Sequence, residues 1–149
     1  MLNRRTICLA LAALPMTAVP LRAQRSEIYA AGRIAIGGAD PVAYFTHDAA
    51  VPGTARHALM WRGATWLFAN ATTMEAFEMD PQRYCPAYGG YCAYTMTRGS
   101  LATTTPEAFT VHQDRLYLTH SIALRALWRD DMAGFIRQAD AHWPGVLLQ

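Results

Sequence analysis

The segment "YCPAYGGYCAY", residues 84–94, holds both cysteines that follow the first 23 residues of the chain. Two thiols can form a disulfide, contribute to a metal site or act as a redox pair. The C-x6-C spacing is neither the C-x-x-C of thioredoxin-like proteins nor a zinc knuckle. On a continuous helix Cys85 and Cys92 would lie about 10 Å apart, beyond disulfide reach. A disulfide therefore requires a sharp bend, for which Pro86 and Gly89-Gly90 are suited, and the sequence leaves it open.

The same segment contains four tyrosines, spaced by four, three and three residues. If the segment were helical, these rings would lie on one side of the helix. Such a stripe of tyrosines usually packs in the core, with the tyrosine hydroxyl groups bonded to polar partners at the edge of the core. The two glycines would then permit a non-helical turn or a close backbone approach. Packing and chemistry are both open interpretations at this point. The tyrosines are Tyr84, Tyr88, Tyr91 and Tyr94.

A metal site in this segment needs ligands beyond the two thiols. No two of the five histidines stand three or four residues apart, so no pair is placed on one helix face. Thiolate or thioether sulfur combined with imidazole suits Cu(I). The sequence does not show whether such side chains converge. The histidines are His47, His57, His112, His120 and His142, and the methionines after residue 23 are Met60, Met74, Met79, Met96 and Met132.

Residues 1–23 have the pattern of a cleaved signal peptide. Arg4 and Arg5 precede an almost purely apolar run over residues 7–19, and Ala23 ends the segment with a small residue. The arginine pair is similar to a twin-arginine signal, although no lysine follows. The apolar run of about 13 residues is short for a membrane span. We expect a periplasmic or secreted protein, with Cys8 lost on cleavage.

The remaining 126 residues suffice for one domain with a modest core. Cleavage of the signal peptide removes three arginines and leaves ten arginines and eleven acidic residues. The net positive charge of the full chain therefore comes from the signal peptide. No cluster of cations suggests a nucleic-acid partner, and no membrane span is expected after the signal peptide. We expect residues 24–30 to be a flexible lead-in and residues 31–146 to form the domain.

Hairpins and helices alternate irregularly along this domain. Apolar flanks predict one hairpin over residues 57–69 and a second over residues 109–119. Asn70 is a suitable N-cap for a helix ending at Met79, and helical periodicity begins at Ser121. Short hairpins with three or four helices predict an α+β fold. The predicted apolar faces are Ile122, Leu124, Leu127 and Trp128, followed by Met132, Phe135, Ile136 and Ala139.

Several motifs, in order along the chain, resemble the YHS domain, and in particular the exported single-domain YHS proteins of bacteria. The resemblance extends over nearly all of the chain after the signal peptide. It is carried by "DPVAYF" (40–45), "WRGATWLFAN" (61–70), Phe77, Asp80-Pro81 and Tyr84. It continues through "YGGYCAY" (88–94), "RLYLTHS" (115–121), Trp128 and "ADAHWP" (139–144).

The resemblance implies metal binding, with copper preferred, because other YHS modules accompany heavy-metal transport proteins. The metal-associated versions carry cysteines in D-P-V-C and F-C-S-x-x-C motifs. This chain has Ala43, Ala69 and Thr73 at those positions, so the usual thiolate site cannot form. Cys92, which fits the exported subfamily, becomes the first candidate metal ligand, and Cys85 the second.

Three functions stay open from the sequence. The first is periplasmic metal binding, with a copper or zinc ion held by Cys92, with Cys85 as a second candidate, and by histidine or methionine side chains. The second is a non-catalytic domain that binds a small ligand or a periplasmic partner protein through an aromatic surface. The third and least favoured is a thiol-dependent enzyme, since no hydrolase, zincin, P-loop or dinucleotide motif is present. The aromatic surface would draw on the tyrosines and on Trp61, Trp66, Trp128 and Trp143.

Overall fold

Two small β-sheets and six α-helices make up the described part of the chain, residues 24–149, in a computed structural model. The α+β class predicted from the sequence is confirmed. No helix among residues 24–149 has the length and apolar character needed to cross a membrane.

The larger sheet has four strands in the order β1-β2-β4-β3. Its main part is the antiparallel hairpin predicted around Arg62 and Gly63, with Trp61 paired to Ala64. The first strand of this hairpin begins at Thr54, three residues before the predicted start at residue 57. The short strand β2 runs parallel to β4, and Ile34 is paired with Thr65. The strands are β1 (Ala30–Ala31), β2 (Ile34–Ala35), β3 (Thr54–Trp61) and β4 (Ala64–Phe68).

The second sheet is the predicted hairpin of β5 (Phe109–His112) and β6 (Arg115–Leu118). Successive side chains of a strand point to opposite faces. On β6, Leu116 and Leu118 belong to one hydrophobic cluster, whereas Tyr117 belongs to another. The hairpin therefore lies between two cores and contributes to both.

Four of the helices begin at side chains that satisfy free backbone N–H groups, and one of these is Asp80, which accepts from the Arg83 N–H at 3.3 Å. Asn70 accepts from the Thr73 N–H at 3.0 Å, Ser121 from the Leu124 N–H, and Asp131 from the Gly134 N–H. The Asn70 cap was predicted, as was a helical segment beginning at Ser121, whose capping role was not. The helices are α1 (Ala43–Thr46), α2 (Ala71–Met79), α3 (Pro81–Tyr84), α4 (Ala93–Met96), α5 (Ile122–Asp130) and α6 (Met132–His142).

The two cores differ in their elements. The sheet cluster packs Trp66, Phe68 and Phe77 against Leu116 and Leu118. The helix cluster packs side chains of α4, α5 and α6 against the other face of β6, with Met96, Trp128 and Ala139 buried. The predicted buried face of α6 is confirmed, because Met132, Phe135 and Ile136 pack against this cluster.

The apolar face predicted for α5 is wrong at two positions. Ile122 and Leu127 are 51% and 48% exposed, whereas Trp128 is fully buried. Of these three side chains, only Trp128 belongs to the helix cluster. The buried face of α5 is therefore narrower than its apolar face. Helical periodicity locates the apolar side chains on one face but does not determine how much of that face a small domain covers.

The segment preceding the predicted domain also packs on it, which differs from the expectation of a flexible lead-in for residues 24–30. Ile28 is 2% exposed within the sheet cluster. The Tyr29 N–H donates to the Gly89 carbonyl at 2.9 Å, and the Arg25 N–H donates to Leu147. The prediction for residues 24–30 was based on their mostly polar composition. One buried isoleucine and a few backbone hydrogen bonds hold this segment in place, and neither feature leaves a periodic pattern in the sequence.

Candidate functional site

The tyrosine-rich segment is broken into three pieces and is not a continuous helix. α3 ends at Tyr84, a 3₁₀ turn covers Ala87–Gly90, and α4 begins at Ala93. Within the turn, Tyr88, Gly89 and Gly90 all have positive φ, at 57°, 62° and 90°. The glycines adopt this region readily, but for Tyr88 it is strained, and a buried environment must hold it.

Two hydroxyl groups anchor this segment to other parts of the chain. The Tyr88 hydroxyl donates to Asp140 Oδ1 on α6 at 2.9 Å, and the Tyr91 hydroxyl donates to the Ser26 carbonyl at 2.9 Å. Burial raises the pKa of Tyr88, and its hydrogen bond to the Asp140 carboxylate raises it further. Tyr88 is therefore a neutral donor, and its packing at this position agrees with the core interpretation of the tyrosines.

The turn at Gly89 fits closely against the segment before β1. A Cβ atom added to Gly89 would overlap the carbonyl group of Glu27. The close approach that a glycine pair permits is thus used here, and it fixes Glu27 beside the turn.

A polar cleft of about 330 Å³ opens at this junction. Its wall comes from five separate parts of the chain: the segment before β1, the β3–β4 turn, the stretch from α3 to the 3₁₀ turn, the β5–β6 turn and the end of α6. The lining side chains that carry charge are Glu27, Arg62, Arg83, Asp114 and Arg115, and the others include Gln82, Cys85, Tyr88 and Trp143.

Each arginine of this cleft lies over an aromatic ring. The guanidinium carbon of Arg62 is 4.6 Å from the centre of the Trp61 ring, and that of Arg83 is 5.6 Å from Tyr84. Arg115 lies 5.5 Å from the centre of the Tyr117 ring. Such contacts favour the cation and reduce the freedom of a long side chain.

Arg62 also forms an ion pair with Glu27 across the cleft wall. Among residues 24–149 this is the one pair of oppositely charged side chains within ion-pair distance. Arg83 and Arg115 therefore have no carboxylate partner in the described part of the chain, although Asp114 lines the same cleft.

Cys85 lies in the wall of the cleft, half-buried, as a free thiol. Burial raises the pKa of the Cys85 thiol from 9.0 to about 12, an effect that Arg62 partly offsets. The thiol is protonated at neutral pH. Because the thiolate is the reactive form of cysteine, this environment does not activate Cys85 as a nucleophile.

Cys92 lies away from the cleft lining and is fully buried, at 0% exposure. It is also a free thiol, and its sulfur accepts a hydrogen bond from the backbone N–H of His120 at 3.3 Å. The His120 ring is directed to Thr103, with 2.9 Å between Nδ1 and the Thr103 hydroxyl. The structure thus does not bring Cys85 and Cys92 together as a disulfide, and Cys92 occupies the N-cap position of α4.

Neither thiol belongs to a cluster of three or more His, Cys, Asp or Glu side chains in the described part of the chain. Within residues 24–149 there is no such cluster that could hold a metal ion. The residues present therefore do not fit a copper or zinc site of that kind. Cys92 and Cys85 as ligands stay a prediction drawn from the YHS resemblance.

The predicted aromatic surface is divided between core and cleft. Trp66 and Trp128 are buried, at 1% and 0% exposure, and serve packing. Trp61 and Trp143 are half-buried. Trp143 lines the cleft, with its ring centre 6.1 Å from that of Tyr88 in an edge-on arrangement.

The sequence pointed to residues 84–94 but missed the arginines that face them. Arg62 and Arg115 stand in or beside hairpin turns and Arg83 in a short helix, separated by up to 53 positions. Nothing in their local sequence indicates that they converge. One usable signal is that each arginine stands one or two positions from an aromatic residue, in "WR", "RY" and "RLY".

No family model, curated protein or solved structure matches the chain. The YHS resemblance therefore depends on the motifs themselves.

Proposed function

We propose that this chain is an exported YHS-type protein of the periplasm that binds a small polar ligand, without catalysing its conversion. The observation that carries the proposal is the polar cleft of about 330 Å³ beside Cys85 and Gly89. Its volume lies at the lower end of the range usual for small-molecule sites.

The construction of the cleft supports a binding role. Its wall joins segments that are distant in sequence, and the close fit of Gly89 against Glu27 fixes two of them. Side chains held by such contacts lose little freedom when a ligand binds, which favours affinity. Trp143 and Tyr88 add ring surface to the polar groups, as the aromatic interpretation of the sequence expects.

A thiol-dependent enzyme is less well supported than a binding protein. The Cys85 thiol faces the cleft, but burial raises its pKa to about 12. No His side chain is among the residues that line the cleft, so the thiol has no histidine beside it to form a Cys–His pair.

Copper binding stays a prediction alongside this proposal. It requires ligands to gather at a thiol, and Cys92 is fully buried. A Cu(I) competition titration of the wild type, Cys92→Ser and Cys85→Ser tests it. Stoichiometric binding that Cys92→Ser abolishes would establish a metal site outside the cleft lining, whereas loss in Cys85→Ser would place the metal at the cleft wall.

The cleft proposal is tested by amide and indole NMR shifts during titration with a panel of small polar molecules. We expect at least one of them to shift the Trp143 indole and Gly89 amide signals in a saturable manner. Gln82→Trp places a large ring at the exposed rim of the cleft and should weaken this binding.

The matched control is Gln138→Trp, which adds the same ring on an exposed position of α6 outside the cleft lining. It should bind as the wild type does. If Gln82→Trp and Gln138→Trp bind alike, or if no molecule shifts the cleft signals, the proposal is wrong.

A further inference from the structure

We propose that the ligand of the cleft carries an oxyanion, a carboxylate or a phosphate group, which Arg83 and Arg115 bind. This inference rests on the proposed function and specifies the chemical class of its ligand. It depends on the charges that line the cleft, on the aromatic neighbours of its arginines and on the protonated state of the Cys85 thiol.

The charges of the cleft leave two cations unpaired. Three arginines and two carboxylates line it, and Glu27 is already paired with Arg62. Asp114 is not within ion-pair distance of an arginine in the described part of the chain. Arg83 and Arg115 therefore have no carboxylate partner in the described part of the chain, and the hydrogen bond of Arg115 goes to the uncharged Tyr117 side chain. A bound anion would supply the missing charge.

Each of the two guanidinium groups has an aromatic neighbour in the structure without ligand. Tyr84 supports Arg83 and Tyr117 supports Arg115 from the ring face, at 5.6 and 5.5 Å. A guanidinium donates pairs of parallel N–H groups that match carboxylate and phosphate oxygens. A stacked guanidinium keeps its N–H edge free for such hydrogen bonds.

Apart from Asp114, the rest of the wall adds no unpaired negative charge. The Cys85 thiol is protonated at neutral pH, so it adds no negative charge. The Asp140 carboxylate accepts a hydrogen bond from the Tyr88 hydroxyl and is not among the lining residues. Asp114 is the one carboxylate of the lining that has no arginine partner, and its charge would repel a bound anion.

Isothermal titration calorimetry with three probes tests the inference: succinate, its neutral analogue succinamide, and inorganic phosphate. We expect succinate or phosphate to bind, succinamide to bind at least about tenfold more weakly, and affinity to fall as NaCl is raised. Binding of phosphate without succinate would assign a phosphate-bearing ligand, and the reverse a carboxylate.

Arg83→Gln and Arg115→Gln alter exposed side chains and should leave folding intact. Each should weaken binding of the anion about tenfold. The matched control is Arg98→Gln, because Arg98 is also exposed and lies 5.8 Å over the Tyr94 ring, but outside the cleft. Arg98→Gln should bind as the wild type does.

Equal binding of succinate and succinamide, or anion binding that Arg83→Gln and Arg115→Gln leave unchanged, would overturn the inference. The cleft would then remain a site for neutral ligands, provided that NMR shifts at Trp143 and Gly89 respond to them. Failure of all three probes in calorimetry also overturns it, and the proposed function falls with it only if the wider NMR panel is silent.

Discussion

At the scale of single residues, the two thiols that drew attention in the sequence have different environments. Cys92 is a buried residue of the core and an acceptor for a backbone N–H. Cys85 lines a cleft but is kept protonated by burial. Residue type and spacing predicted a site in this segment, but reactivity depends on burial, which spacing does not specify.

The raised pKa of Cys85 predicts slow alkylation of the native protein by iodoacetamide at pH 8. Its thiolate fraction should be about a thousandfold below that of a thiol with the ordinary value, and higher nucleophilicity offsets only part of this. We expect labelling at least about 30-fold slower than in urea-unfolded protein. Tandem mass spectrometry separates Cys85 from Cys92, and equal rates in the two states would contradict the prediction.

The same shift predicts a loss of stability in alkali. The folded-state pKa of Cys85 is raised from 9.0 to about 12, so its stabilising contribution is complete below pH 9 and declines between pH 9 and 12. Tyr44 and Tyr88, whose pKa values burial also raises, add to the decline above pH 10. Urea unfolding at several pH values should give a shallower decline for Cys85→Ala than for the wild type from pH 9 to 10. An identical decline would contradict the assignment.

At the scale of elements, local signals predicted both hairpins and two of the helix starts. Gly63 permits the turn of the first hairpin, and the side chains of Asn70 and Ser121 accept hydrogen bonds from N–H groups three residues later. Such short-range signals are visible in the sequence. The 3₁₀ turn at Ala87–Gly90 was not predicted as such, because its form depends on Glu27 and Asp140. Contacts made by distant residues cannot be read from a window of sequence.

Asp40 is one such case, since a buried aspartate joins three elements. Its carboxylate accepts from the Val42 N–H before α1, from the Ala69 N–H after β4, and from the Thr73 hydroxyl of α2 at 2.6 Å. Asp40→Ala would remove the acceptor of the Val42 and Ala69 N–H groups and leave the Thr73 hydroxyl only its longer contact with the Asn70 carbonyl. We expect it to lower the free energy of unfolding by about 3–5 kcal/mol.

Asp130→Ala is the control for this substitution, because Asp130 is exposed. It should change the free energy of unfolding by less than about 0.5 kcal/mol. Urea denaturation measures both variants. Similar small losses for Asp40→Ala and Asp130→Ala would show that the Asp40 hydrogen bonds do not join these elements.

The fit between the 3₁₀ turn and the segment before β1 can be tested with two glycines. Gly89 and Gly63 both have positive φ, at 62° and 76°, but only an added Cβ at Gly89 meets another chain segment. Gly63→Ala should cost about 1–2 kcal/mol from backbone strain alone. Gly89→Ala should cost about 3 kcal/mol or more, because Glu27 must move. Equal losses in urea denaturation would contradict the close fit.

At the scale of the whole molecule, the cleft lies where separate parts of the chain meet. The α+β class followed from the sequence, since hairpins and helices each leave a periodic pattern. The cleft did not, because Glu27, Arg62 and Arg115 converge only through the pairing of strands and the packing of the N-terminal segment. Trp143 shows the same limit, since its ring reaches Tyr88 from more than 50 positions away.

The most direct test of a ligand-binding cleft is a crystal structure of the protein grown with saturating succinate or phosphate. We predict electron density for the anion within the cleft, with its oxygens at hydrogen-bond distance from Arg83 and Arg115. An anion bound elsewhere, or a cleft closed by side chains of the protein itself, would contradict the account.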